Sequence, residues 1–143
     1  MPGIFGFISP NPRPPQEVER DLLAMRRSMS HLPTYKSCTY VGTRVALGRI
    51  GPSFLNPEKQ PVLNEDGKRM IVFEGELFDP SAPLQELEHN GHKFREGCDA
   101  EVALHAFEEG GAQGIAKLAG AYVGCIYDSE SRVQPASRLA QVI

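Results

Sequence analysis

The sequence predicts an α+β fold built on antiparallel sheet, and three observations carry that reading. Short apolar stretches near both ends and in the middle have strand length rather than helix length. Two pairs of them are separated by tight-turn residues, Gly42-Thr43 and Asn64-Glu65-Asp66-Gly67, as in hairpins. The elements run strand, helix, several strands, helices, strand, which is not the regular alternation of a parallel doubly wound sheet.

The elements follow in order. Residues 3–9 form a buried strand, after which Pro10, Pro12, Pro14 and Pro15 impose a loop. Across residues 16–32, Val18, Leu22, Met25, Met29 and Leu32 recur at three- and four-residue steps. Glu17, Arg20, Asp21, Arg26 and Arg27 take the other face, so the segment is an amphipathic helix. Strands are expected at 37–41, 44–50, 61–63 and 69–73. Helices are expected at 83–90, stopped by Gly91, and at 100–109, stopped by Gly110-Gly111 with Asp99 as N-cap. A last strand covers 121–127. The expected division is a domain over 1–128 and a tail over 129–143 without sheet or helix pattern.

Composition narrows the function. With 143 residues, 41 % of them hydrophobic, the chain can build its own core without a metal or disulfide. Fifteen Lys and Arg against eighteen Asp and Glu give a net charge of −3 and no basic stripe, which argues against nucleic acid as a partner. No apolar run approaches about 18 residues, so no membrane is expected. Cys38, Cys98 and Cys125 are widely spaced and odd in number, which suits reduced thiols in a cytoplasmic protein. The glycines of GGAQG follow a helix rather than a strand and make no phosphate cradle. His89 with His92, and Glu101 with His105, have helical spacing but too few companions for a metal site. Solvated histidines, no metal and no cofactor are the expectation.

Seven stretches acquire a joint meaning: GIFGF at 3–7, LGRIG at 47–51, KQP at 59–61, FEGELFD at 73–79, GHKF at 91–94, CDAEVALHAFEEGG at 98–111 and LAGAYVGCIYD at 118–128. In order and spacing the chain resembles the N-terminal glutamine-amidotransferase domain of the asparagine synthetase family, of the class II or N-terminal-nucleophile type. The resemblance implies a four-layer αββα sandwich of two antiparallel sheets, here expected to lack its C-terminal strands. It also implies a catalytic cysteine, freed by removal of the initiator Met, whose own α-amino group serves as base.

At that position stands Pro2, which has no thiol. Where the resemblance implies Asn-Gly-Glu, with the Asn amide and Gly N–H as oxyanion donors, the chain has Glu74-Gly75-Glu76. A carboxylate there opposes a developing oxyanion. The implied amino-acid-binding positions are Arg49 for the α-carboxylate and Asp99 with Glu76 for the α-amino group, and Gly75 is retained. Glu74 is placed to occupy the Arg49 guanidinium. Cys98 lacks a free amine as base and is a poor substitute nucleophile.

The expected function is therefore a catalytically degenerate amidotransferase-like domain, a structural or docking part of an asparagine-synthetase-like, amide-forming enzyme. β-Lactam synthetases and macrolactam-forming cyclases, which take the amine from their own substrate, are similar cases. Alternatives are a glutamine or amino-acid sensor and an acid–base enzyme using an N-terminal proline. Expected partners are glutamine or a related amino acid, an ATP-dependent synthetase domain or subunit, and a second copy in a homodimer. The ATP-binding motif of such a synthetase is not in this sequence, so truncation of a longer protein and a stand-alone subunit both remain open.

Overall fold

A computed structural model describes residues 2–130 and the backbone of Leu139–Val142. The chain runs β1 (Gly3–Ile8), α1 (Pro15–Met29), β2 (Tyr35–Val41), β3 (Val45–Pro52), β4 (Val62–Leu63), β5 (Arg69–Leu77), α2 (Ser81–His89), α3 (Asp99–Gly110), α4 (Ala112–Ile115), β6 (Gly120–Asp128) and β7 (Leu139–Val142). The strands make two antiparallel sheets, ordered β1-β3-β2 and β4-β5-β6-β7. Both expected hairpins, β2–β3 and β4–β5, form.

Strand alternation explains the layering. Along β3, Ala46 and Ile50 join Phe5, Val18 and Leu22 in a core between the first sheet and α1. Val45 and Leu47 point the other way and meet Val72 and Cys125 of the second sheet. On β5, Ile71 and Phe73 turn from that inter-sheet layer to a third core with Leu87 of α2 and Val102 and Leu104 of α3. Helix, sheet, sheet, helix is the resulting order, the αββα sandwich.

Several boundaries move for physical reasons. α1 begins at Pro15, where a proline is tolerated because the first-turn N–H needs no helical partner, and it ends at Met29 rather than Leu32. Pro33 disfavours helix at the residue before it, and Leu32 is exposed. β5 extends to Leu77, so FEGEL lies in the sheet. Asp99 is the first residue of α3 and not its N-cap; Cys98 holds that position, with no side-chain capping bond. Within the stretch expected to carry no pattern, Leu139–Val142 pairs with β6.

Candidate functional site

Because Val45, Leu47 and Arg49 share one face of β3, and Val72 and Glu74 one face of β5, the inter-sheet layer that is apolar over most of its length ends in a charge on each side. Arg49 and Glu74 are 5 % and 4 % exposed. The Arg49 Nε donates to Glu74 Oε2 at 2.6 Å, and Nη2 also touches that oxygen. Nη1 donates to the Asn56 carbonyl at 2.6 Å. Nη2 lacks hydrogen-bond alignment, and Glu74 Oε1 has no hydrogen-bond partner among the described residues. Burial pushes the Glu74 carboxyl above its ordinary range, against the Arg49 hydrogen bond and charge, which pull it down.

The neighbouring backbone is committed as well. Gly75 donates its N–H to Asn56 Oδ1 at 3.0 Å. Its φ of +133°, together with Ala121 O only 2.3 Å from where a Cβ would sit, admits no side chain. Gly51 leaves room for the Glu74 carboxylate, whose Oε1 would lie 2.1 Å from a Cβ there. Gln60 stands in for a strand partner of Phe73: its Oε1 accepts the Phe73 N–H at 2.7 Å and its Nε2 donates to the Phe73 carbonyl at 2.9 Å. The same Nε2 reaches Glu58 Oε1 at 2.7 Å. Asn56 and Gln60 carried no role in the sequence reading, although Gln60 lies inside the KQP stretch.

The remaining predicted positions divide. Gly3 pairs with Ile50 and Ile4 with Arg49, so the register brings exposed Pro2 alongside Gly51, next to the buried pair. Asp99 accepts the Leu77 N–H on Oδ2 at 2.8 Å, which fastens the start of α3 to the end of β5. Glu76 is exposed and makes no ion pair among the described residues. Burial pushes the Cys98 thiol up to about 11, the opposite of an activated nucleophile. A cavity of about 470 Å³ runs along the free edge of β1; Pro2, Ile4, Leu47, Val123 and Cys125 line it with their neighbours, and it has no charged side chain to hold an amino acid's two charges.

The histidines depart from expectation. His105 is 1 % exposed and its Nδ1 lies 2.7 Å from Glu108 Oε2, so it is not a solvated residue. Glu101 does not pair with it: its carboxylate accepts the N–H groups of Arg95, Glu96 and Gly97 at 2.7 to 3.1 Å and shapes the loop before α3.

A profile of the family described as "Glutamine amidotransferase domain" matches residues 1–138. The chain belongs to that family. This glutamine amidotransferase domain is 29 % identical over 122 residues to asparagine synthetase [glutamine-hydrolyzing] 3 of Arabidopsis thaliana, covering 85 % of this chain and 20 % of that protein. It is 27 % identical over 116 residues to asparagine synthetase B [glutamine-hydrolyzing] of Escherichia coli (strain K12), covering 80 % and 21 %. The chain thus spans about a fifth of the curated relatives it matches. Among solved structures, glutamine phosphoribosylpyrophosphate amidotransferase from B. subtilis superposes with a TM-score of 0.61 at 18 % identity, covering 88 % of this chain and 35 % of that one, which establishes a shared fold. Among the described residues no helix is long and apolar enough to cross a membrane.

Proposed function

We propose that this glutamine amidotransferase domain does not hydrolyse glutamine and acts as a structural or docking part of an asparagine-synthetase-like, amide-forming enzyme. The observation that carries the reading is the buried Arg49–Glu74 pair. Releasing ammonia from a carboxamide needs a nucleophile to attack the carbonyl carbon, donors to the resulting oxyanion, and a cation to hold the substrate carboxylate. Pro2 stands at the nucleophile position and offers no thiol. Glu74 offers an acceptor where a donor is needed, and the Gly75 N–H is spent on Asn56. Glu74 takes the place on Arg49 that a substrate carboxylate would need.

What survives supports an ammonia-independent role. The three cores and the loop shaped by Glu101 are complete without catalysis, so the domain keeps a defined surface for an ATP-dependent synthetase domain or subunit. A sensor reading has one observation in its favour: among the described residues Arg49 Nη2, though in contact with Glu74 Oε2, and Glu74 Oε1 make no hydrogen bond. An acid–base enzyme built on Pro2 finds no support in the apolar cavity beside it. Titration calorimetry with glutamine up to about 10 mM, above the usual KM range, is expected to give no saturable heat. Saturable binding would replace the docking reading with the sensor.

A further inference from the structure

We propose that Glu65, His92, His105 and Glu108 form a binding site for a zinc-like divalent cation, away from the Arg49–Glu74 pair and independent of the reading of that pair. One ligand atom from each of the four residues lies within 4.8 Å of the others. His105 Nδ1 is 2.7 Å from Glu108 Oε2 and 3.8 Å from Glu65 Oε2. His92 Nδ1 is 3.5 Å from Glu65 Oε1 and 3.7 Å from Glu108 Oε2. Ligands at about 2.0–2.1 Å around a tetrahedral zinc ion stand about 3.3–3.4 Å apart. Counting Glu65 Oε2 toward His105 and Oε1 toward His92, three of these four separations lie within about half an ångström of that value. The fourth is a hydrogen bond that the metal would replace.

The charges point the same way. The two imidazole rings lie 4.5 Å apart between two carboxylates. Arg69 Nη1 reaches only the outer oxygen of Glu108, at 3.3 Å, and leaves Oε2 to the ring nitrogens. A divalent ion set among these groups would bind neutral nitrogen and ionised oxygen.

The surrounding contacts orient these ligands. Asn64 Nδ2 and Arg69 Nη1 hold the outer oxygen of Glu108, at 2.6 and 3.3 Å, and leave Oε2 facing both rings. The Lys93 N–H fixes Glu65 at 3.0 Å. His92 turns its other nitrogen, Nε2, to Glu109 Oε1 at 3.0 Å, the carboxylate–histidine arrangement that raises ligand basicity. Phe94 meets the buried His105 ring edge-on at 4.9 Å and walls the inner side. The ligands come from the β4–β5 turn, the α2–α3 loop and the second half of α3, so the ion would fasten three segments rather than perform a reaction.

Titration of the purified, chelator-treated chain with Co²⁺ should give the strong visible absorption of a four-coordinate site, saturating at one ion per chain and displaced by Zn²⁺. Zinc at about 100-fold excess over its Kd should raise the melting temperature by about 9 °C. Because His105→Ala removes a core side chain, the decisive variants are Glu65→Gln and His92→Gln, whose side chains are 37 % and 14 % exposed against 2 % for His105. Each should weaken Co²⁺ binding at least about 10-fold with melting of the metal-free chain little changed. A six-coordinate spectrum, no metal-dependent melting shift, or unaltered affinity in both variants would overturn the site.

Discussion

Removing one member of the Arg49–Glu74 pair is expected to cost far more than removing both. With exposures of 5 % and 4 %, neither charge can recover its hydration if the other is lost. Deleting one partner of such a buried pair costs about 3–5 kcal/mol. The unfolding entropy of a chain of 143 residues is about 0.3 kcal/mol per kelvin. Glu74→Leu or Arg49→Met alone should therefore lower the melting temperature by about 10–17 °C. The double variant removes both charges and keeps only the cost of the lost bond from Arg49 to the Asn56 carbonyl, about 1–2 kcal/mol. Urea unfolding of the four proteins in the cycle should yield a coupling of about 4 kcal/mol or more. Single variants that each cost less than about 1 kcal/mol, with an additive double, would refute the premise that the two charges are buried against each other.

Four further outcomes follow from the backbone and from the buried thiols. Gly75→Ala places a methyl 2.3 Å from the Ala121 carbonyl oxygen and 2.5 Å from the Tyr122 Cα, both backbone, so it should destabilise by at least about 3 kcal/mol in denaturant titration. Gln60→Ala strands the buried N–H and carbonyl of Phe73 and should cost about 2–4 kcal/mol, with the loss concentrated in exchange protection of the Phe73 amide. Burial pushes the Cys98 and Cys125 thiols up to about 11 from 9.0, so the folded chain keeps protons that the unfolded chain releases. Their contribution to stability is whole below pH 9 and is lost as pH rises from 9 through about 11. At neutral pH iodoacetamide should alkylate Cys98 about 100-fold more slowly than a thiol of pKa 9, by mass spectrometry.

Much of this architecture is legible in the residues. The β3 stretch VALGRIGP alternates between two buried faces, and the turn residues Gly42-Thr43 and Asn64-Glu65-Asp66-Gly67 set the two hairpins. Arg49 and Glu74 lie inside motifs that single them out, and their mutual contact follows from sheet alternation once the two sheets are stacked. What sequence reasoning missed depends on long-range proximity. Gln60 completes a β-ladder with its side chain, a task with no periodic signal. Asp99 looks like a cap by position, but the Leu77 N–H, 22 residues away, claims its carboxylate. Glu65, in a turn, reaches His92 and His105 only after the loop before α3 folds back under the control of Glu101. The short α4 and the β7 pairing carry too few residues for a pattern.

Whether the domain hydrolyses glutamine is decided by ammonia release from glutamine, measured with the purified chain and followed by intact-mass analysis for a covalent glutamyl adduct. The prediction is a rate equal to the protein-free background and an unmodified chain. Ammonia production that scales with protein concentration, with or without an adduct, would contradict it.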